Sequence, residues 1–366
     1  MASIARRPDG RWRARYRDET GREYAGHFAR KVDAQRWLDR ETAKIVTGTW
    51  VNPRAGRVTF AEYAEGWRAV QVHRPTTQAH VETMLRRHAY PVFGPRPLSS
   101  IRPSEVQAWT SGLALTPSSA EVCFRYFSAV FKAAVSDRVI ASSPCAGIRL
   151  PRRLPRQVVP LTTDQVQALT AAMPARFRAL VVMAAGTGLR QGEAFGLEVR
   201  HVDFLRRTLR VEQQLVTLPG APPQVSPPKT DSSYRTIPLP QVVVDALAAH
   251  LRDYPSAGLI FTAETGEPIR RSSFSGKAWR RAVQSAGLPT GVGFHALRHY
   301  YASLLIRHGE SVKVVQLRLG HATAAETLDT YAHLWPDSED RTRAAIDSVL
   351  GPAADFLRTG RVADKA

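Results

Sequence analysis

A proline-rich segment constrains this sequence most, because it divides the chain into two parts. Four prolines and four arginines are interleaved along it: Pro144, Arg149, Pro151, Arg152, Arg153, Pro155, Arg156 and Pro160. Proline fixes φ and lacks an amide hydrogen, so this density excludes a helix and predicts a semi-rigid, extended connector. We therefore predict a linker over residues 144–160, with folded parts on either side.

The overall charge indicates the kind of partner. The 366 residues suffice for two or three domains, and the formal net charge is +19. Such a charge favours a polyanion, either nucleic acid or an anionic membrane surface. No apolar run approaches the ~18 residues that a membrane-spanning helix requires. Nucleic acid is therefore the better candidate, and no membrane association is expected.

The compartment is predicted from two further features. Cys123 and Cys145 are the only cysteines, too few for a disulfide framework. The basic N-terminus has no apolar segment behind it, so we expect no secretory signal. Together these features predict an intracellular, cytoplasmic protein.

Residues 1–50 predict a small sheet followed by one helix. Asp9-Gly10 is a hairpin turn signal, and a helix is predicted over Val32 to Ile45. The strand between them alternates, which places one set of arginines on a single face: Arg11, Arg13, Arg15 and Arg17. A solvated strand face would also carry charge, but four arginines pointing one way suit a DNA groove better.

Residues 58–143 predict an all-helical module. Thr59 is a plausible N-cap for an amphipathic helix, and further helices are predicted over Thr76 to His88, Pro103 to Leu113 and Ser118 to Asp137. Their polar faces carry basic residues that we take as candidate DNA contacts: Arg86, Arg87, Arg125 and Lys132. Basic helix faces are often plain solvated surface, so both interpretations stay open.

Residues 161–350 predict helices with a small antiparallel sheet inserted at Val202 to Leu239, and residues 351–366 predict a disordered tail. Thr163 is the predicted N-cap of the first helix. The whole chain is therefore expected to be mainly α with small antiparallel β sheets, an α+β fold.

A cluster of chemically active side chains lies in this C-terminal part. His295 and Arg298 stand three apart, so they share a helix face, and His321 and Tyr331 follow. Arginine binds phosphate oxygens through its planar fork, histidine moves protons, and tyrosine can become a covalent nucleophile. For an isolated His-x-x-x-His pair such as His295 and His299, an ordinary amphipathic helix would be the better interpretation. A zinc pair is disfavoured, because Ala296 occupies the position of the glutamate in the zinc signature.

Two upstream stretches support the cluster. Arg190 follows two glycines that break a helical pattern, and Glu193 stands one turn later, where its carboxylate can hold a guanidinium or a neighbouring histidine. Lys229 is predicted at the tip of a hairpin between strands over Thr208 to Val216 and Tyr234 to Leu239. Either basic residue could instead be a surface charge.

With these motifs the chain resembles the tyrosine recombinases, the phage integrase family. Thr187-Gly188-Leu189-Arg190 with Glu193 matches its first arginine box, and Lys229 matches its hairpin lysine. His295 to His299, Leu319-Gly320-His321 and Tyr331 match the remaining boxes, in the family's order and over about half the chain. Ala296 departs from the usual aspartate and Tyr300 from a common threonine, which predicts altered local packing.

The resemblance implies a role for each residue. Tyr331 would attack a DNA phosphorus and leave a 3′-phosphotyrosyl link, with His295 as the candidate proton acceptor. Arg190 and Arg298 would bind the non-bridging oxygens. Lys229 would protonate the leaving 5′ oxygen, His321 would hydrogen-bond the phosphate, and Glu193 would position this group. The family needs neither ATP nor a metal, so no cofactor is expected.

The resemblance also implies domains and partners. Residues 1–50 are similar to an arm-type DNA-binding domain, residues 58–143 to a core-binding domain and residues 161–350 to a catalytic domain. The expected partners are double-stranded DNA attachment sites, a homotetramer on paired sites, and accessory proteins that set direction or bend DNA. A type IB topoisomerase, a non-catalytic DNA-binding regulator and, least favoured, a metallonuclease remain alternatives.

Overall fold

The structure is a computed structural model and describes residues 2–18, 20–152, 157–335, 343–344 and 346–350. The chain separates into two units, Met1–Leu154 and Pro155–Ala366. The described part is mainly helical with small antiparallel sheets, which confirms the predicted fold class. The predicted tail at 351–366 and the linker residues 153–156 lie outside the described residues. None of the described helices has the length and apolar character needed to cross a membrane.

The first unit begins with a three-stranded antiparallel sheet. Its strands are β1 (Ser3–Arg6), β2 (Trp12–Arg17) and β3 (Glu23–Phe28), in that order, and Gly10 in the first turn has a φ of 79°. Helix α1 (Lys31–Val46) buries Ala34 and Leu38 against Ala14 and Tyr16 of β2. The alternation of β2 thus places the apolar side chains under α1 and the arginines on the opposite face.

A helical module completes the first unit. Its helices are α2 (Phe60–Ala69), α3 (Pro75–Met84), α4 (Tyr90–Phe93), α5 (Pro103–Ser111) and α6 (Pro117–Ser136). As predicted, Thr59 caps α2 by accepting a hydrogen bond from the Glu62 amide at 3.3 Å. A π-helical turn, Leu85–Ala89, joins α3 to α4, so the helix predicted to end at His88 continues beyond it. The core of this module is rich in phenylalanine: Phe60, Phe93, Phe127 and Phe131.

The second unit is built mainly from helices, nine of which have both ends within the described residues. They are α7 (Thr163–Ala172), α8 (Ala175–Thr187), α9 (Gln191–Phe195), α10 (Gln241–Asp253), α11 (Arg271–Ser273), α12 (Arg280–Ser285), α13 (His295–Arg307), α14 (Val312–Leu319) and α15 (Ala324–Tyr331), with residues 343–344 and 346–350 also helical. The predicted cap at Thr163 is wrong by one residue. Thr162 accepts the Gln165 amide at 3.2 Å, because the side chain of Thr163 instead meets the Tyr300 hydroxyl at 3.1 Å.

The sheet region of the second unit differs from the single predicted hairpin. Strands β4 (Val202–Asp203), β5 (Thr208–Val211) and β8 (Arg235–Pro238) form one sheet, and β6 (Gln214–Val216) pairs with β7 (Gln224–Ser226) in another. The strand predicted over Thr208 to Val216 breaks at Gln213, whose side-chain amide donates to the Gly196 carbonyl at 2.7 Å. Lys229 therefore lies in the loop between β7 and β8, and not at a hairpin tip.

Candidate active site

A buried carboxylate forms the centre of the site. Glu193, in the first turn of α9, is only 3 % exposed and binds two arginines. Arg190, the residue that caps α9, donates to it from Nη1 at 2.9 Å, and Arg235 of β8 donates from Nη2 at 2.8 Å. Burial alone would raise the pKa of Glu193, but the charges of Arg235 and Arg190 hold it below its ordinary value. Glu193 therefore stays ionised and fixes both guanidinium groups.

Backbone carbonyl groups at the C-terminal ends of α8 and α14 bind Arg298 and Arg190. Arg298 donates from Nη1 to the Gly188 carbonyl at 2.8 Å and from Nη2 to the Leu319 carbonyl at 2.7 Å. Arg190 donates from Nη2 to the Gly320 carbonyl at 3.0 Å. Carbonyl groups at helix C-termini lack helical partners and carry partial negative charge, so they suit a guanidinium. The ends of α8 and α14 thus bring Arg190 and Arg298 together.

Glycine is required at both helix ends. Gly188 and Gly320 cap α8 and α14 with a φ of 66° in each case, a conformation that other residues adopt at a cost. A Cβ on Gly188 would lie 2.4 Å from the Tyr301 ring, and one on Gly320 would lie 2.9 Å from the Ser232 carbonyl oxygen. The backbone of Ser232, in the loop that carries Lys229, therefore packs closely against the end of α14.

Tyr331 lies inside this cluster and is 1 % exposed. Its hydroxyl is 2.8 Å from Nδ1 of His299, and its ring is parallel to that of His321, with centroids 6.4 Å apart. Burial raises the pKa of Tyr331 to about 12, although the charges of Arg298 and Arg190 oppose this effect. The phenol is therefore protonated at neutral pH.

The three histidines of the site are held neutral. Burial lowers the pKa of His299 to about 4 and that of His321 to about 3, and the charge of Arg298 adds to both effects. His295 is exposed as a residue, yet its ring is crowded by its neighbours. Burial of the ring and the nearby His299 and Arg298 lower the pKa of His295 to about 4. Arg298 itself, with a pKa that burial lowers to about 9, remains charged at pH 7.

The remaining predicted site residues differ in their exposure and in their contacts. His321 is buried and its Nδ1 lies 2.8 Å from the Thr327 hydroxyl. His295 makes no hydrogen bond to Tyr331 among the described contacts, and His299 occupies that place instead. Lys229 is exposed on the loop before β8. Arg235 anchors this loop by donating to the Ser233 carbonyl at 2.9 Å.

The predicted DNA-binding residues all lie in the first unit. Arg13, Arg15 and Arg17 lie on one face of β2 and surround Glu23 of β3 at 3.0 to 3.9 Å, and Arg11 directly precedes the strand. Arg86 pairs with Glu82 at 3.1 Å and with Glu65 at 3.4 Å. Arg87, Arg125 and Lys132 are exposed, and Arg125 lies over the Tyr126 ring. Ion pairing therefore distinguishes Arg86 from these three.

Two residues of the site were not predicted. Arg235 lies in the same stretch as Lys229, but no sequence rule shows that its side chain turns inward to Glu193. His299 stands one turn after His295, on the same side of the helix, so periodicity groups the two histidines but does not show which of them meets Tyr331. The contact of His299 is with a residue 32 positions away, which local spacing cannot reveal. Among the described residues, no group of three His, Cys, Asp or Glu could hold a metal ion.

The fold and this site define a DNA strand transferase with a tyrosine at its centre. Family models match three parts of the chain: "Phage integrase family" over residues 160–337, "Phage integrase, N-terminal domain" over 2–47, and "Phage integrase, N-terminal SAM-like domain" over 59–114. The chain belongs to the phage integrase family, the tyrosine recombinases, and is a site-specific DNA recombinase.

Individual relatives can be aligned with most of the chain. A putative prophage phiRv2 integrase of Mycobacterium tuberculosis is 32% identical over 356 residues, covering 93% of each chain. The tyrosine recombinase XerD of Corynebacterium glutamicum is 30% identical over 321 residues, covering 84% of this chain and 95% of that protein. The integrase of Mycobacterium phage D29 is 27% identical over 325 residues, covering 83% and 84%.

Solved structures share the fold at lower identity. The Tn1549 transposon integrase in complex with a circular intermediate DNA is similar with a TM-score of 0.68 and 23% identity, over 80% of this chain and 99% of that chain. A lambda integrase dimer bound to a core site is similar with a TM-score of 0.59 and 20% identity, over 91% and 96%. These similarities show a common fold.

Proposed function

We propose that this protein integrates or excises a mobile DNA element by cutting and rejoining strands through a 3′-phosphotyrosyl link to Tyr331. The supporting observation is the convergence of Arg190, Arg298, His321 and Tyr331 at the ends of α8 and α14. Two fixed guanidinium groups next to a phenol suit a phosphodiester, which presents two non-bridging oxygens and a phosphorus for attack.

Each residue has a proposed role in this step. Arg190 and Arg298 bind the non-bridging oxygens, where negative charge increases in the transition state. Lys229 protonates the leaving 5′ oxygen from its exposed loop. Removing Arg190 or Arg298, each a preorganised hydrogen-bond donor, is expected to cost about 3–4 kcal/mol of transition-state stabilisation.

The other polar groups support the reaction. His321 hydrogen-bonds the phosphate, His295 is the proton acceptor that the family resemblance implies, and Glu193 fixes the arginines without reacting. The phosphotyrosyl ester retains the energy of the broken bond, so a free 5′ hydroxyl of a second duplex can reverse the reaction. No external energy source is therefore required.

The proposed assembly contains DNA and further protein copies. A tetramer on paired attachment sites brings four tyrosines to two duplexes, and we propose that Arg11, Arg13, Arg15 and Arg17 bind a separate arm sequence. Arg86, Arg87, Arg125 and Lys132 are the proposed core-site contacts of the helical module. A directionality factor and a DNA-bending host protein are proposed accessory partners, and the bacterial nucleoid is the proposed place of action.

A nicked suicide duplex tests the proposal. The duplex carries a candidate attachment site, and loss of its short fragment after cleavage prevents rejoining, so covalent protein–DNA complexes accumulate. The DNA-linked peptide is expected to map to Tyr331, and Tyr331→Phe is expected to abolish the complex while DNA binding is kept. Tyr254→Phe, which removes a hydroxyl at the end of α10, is the matched control and retains activity.

Three outcomes would favour the alternatives. Unchanged activity in Tyr331→Phe would support a non-catalytic regulator. Relaxation of plasmids without attachment sites, with no recombinants from paired sites, would support a topoisomerase. Cleavage that EDTA abolishes would support a metallonuclease.

A further inference from the structure

The hydroxyl of Tyr331 has one hydrogen-bond partner among the described residues, and that partner is His299. The distance from the hydroxyl to Nδ1 is 2.8 Å. The ring of His299 also meets the edge of the His295 ring, with centroids 4.6 Å apart and planes at 89°. Since His295 and His299 are four residues apart on α13, the helix itself sets this arrangement. His299 therefore lies between His295 and the tyrosine.

We propose that His299 is the catalytic residue that accepts the proton of Tyr331, in place of His295. This inference rests on the proposed function and assigns one further residue to it. As the bond between the tyrosine oxygen and phosphorus forms, the bond from phosphorus to the 5′ oxygen breaks. The phenolic proton moves to Nδ1 of His299, and the 5′ oxygen takes a proton from Lys229. No oxidant, reductant or additional reactant takes part.

The surroundings of His299 fit this role. A neutral imidazole accepts at Nδ1 when its ring proton lies on Nε2. The low pKa of His299, about 4, keeps the ring neutral at pH 7 and therefore able to accept. Burial is the main cause of this low pKa and the charge of Arg298 adds to it, so a phosphate bound by Arg298 would offset the second of these two effects. The phenol becomes acidic only while its oxygen bonds to phosphorus, which couples proton transfer to attack.

The burial of Tyr331 supports the same assignment. A tyrosine that is 1 % exposed has little access to solvent water, so a protein group must take its proton. His321 lies parallel to the Tyr331 ring and its Nδ1 is engaged by the Thr327 hydroxyl at 2.8 Å. Of the three histidines, His299 alone has a ring nitrogen at hydrogen-bond distance from the phenol in the described contacts.

The first test replaces the base but keeps the hydrogen bond. In His299→Asn the side-chain oxygen is close to the former Nδ1 position, so it still accepts from Tyr331 but cannot take up a proton. Formation of the covalent complex on the suicide duplex is expected to slow by about 100-fold or more. Duplex binding and the melting temperature are expected to stay near those of the wild type. His308→Asn, an exposed histidine at the end of α13, is the matched control and keeps the wild-type rate.

The second test separates the nucleophile from the leaving group. A substrate with sulfur in place of the bridging 5′ oxygen needs no proton on its leaving group, so it should restore Lys229→Ala but not His299→Asn. Incorporation of a fluorinated tyrosine of lower pKa at position 331 should partly restore His299→Asn. If the asparagine variant does not fold, His299→Gln is the second variant; its amide lies near the former Nε2 position, so it removes the base without keeping the hydrogen bond to Tyr331.

The outcomes are distinguishable. A wild-type rate for His299→Asn, or its full rescue by the sulfur substrate, would overturn the assignment of His299 while Tyr331→Phe remained inactive. Covalent complexes formed by Tyr331→Phe would instead overturn the proposed function.

Discussion

Arg235 illustrates how a residue can control the site without facing DNA. Its guanidinium is 6 % exposed and binds Glu193, the Ser233 carbonyl and the Arg318 carbonyl. Glu193 in turn holds Arg190, so the position of Arg190 depends on the charge of Arg235. A buried carboxylate that loses one of two cationic partners is left partly uncompensated, which is costly.

Arg235→Gln is therefore expected to lower the free energy of unfolding by about 3 kcal/mol or more. Cleavage is expected to fall as well, because Arg190 loses its fixed support. Chemical denaturation and the suicide-duplex assay measure the two effects. Arg252→Gln is the control, since Arg252 forms an exposed ion pair with Asp253 and its loss should change stability by under about 1 kcal/mol. Equal stability of the two variants would contradict this view of Arg235.

Among the structural elements, the C-terminal ends of α8 and α14 matter most. Each helix ends in a left-handed glycine, and the carbonyl groups at these two ends bind Arg298 and Arg190. A change at either glycine therefore alters stability and arginine geometry together.

Gly188→Ala tests this coupling. The left-handed conformation costs a residue with a Cβ about 1–2 kcal/mol, and the contact with Tyr301 adds to that cost. Gly309→Ala is the matched control, because Gly309 has a φ of 86° but nothing lies within 4 Å of its Cβ position. Thermal unfolding should show the larger loss for Gly188→Ala, and cleavage should fall only in that variant. Equal losses in both variants would show that backbone conformation alone explains them.

The sequence predicted those elements whose physical signal is local. Alternation located β2, the threonine before Phe60 marked the start of α2, and the spacing of His295 and Arg298 placed both on one helix. The split of the sheet around Gln213 was not predictable, because it depends on a side-chain contact with the distant Gly196. The roles of Arg235 and His299 likewise depend on partners 42 and 32 positions away.

At the scale of the whole molecule, the neutral histidines make the second unit sensitive to acid. The pKa values of His299 and His321 lie below the ordinary value of 6.5, as do those of His201 and His250, which burial lowers. Below pH 6.5 the unfolded chain binds protons that the folded chain does not. The free energy of unfolding must therefore decrease as the pH falls from 6.5 towards 4.

Each such histidine is expected to contribute up to about 1.4 kcal/mol per pH unit to this loss. Denaturant titrations at pH 7, 6 and 5 measure it. A free energy of unfolding that does not change across this range would show that the folded and unfolded chains bind equal numbers of protons, so that folding does not lower the pKa values of these histidines.

The burial of Tyr331 within its own chain has a consequence for the proposed function, because it predicts which subunit cuts which DNA strand. The phenol is buried beside His299 and His321, and the charges of Arg298 and Arg190 of the same chain act on it. Under the proposed function, each subunit is therefore expected to cut the strand that its own arginines bind, and not to supply Tyr331 to a neighbouring subunit. Mixed assemblies of Tyr331→Phe and Arg298→Ala chains should therefore stay inactive, whereas a tyrosine delivered between neighbours would restore cutting through complementation.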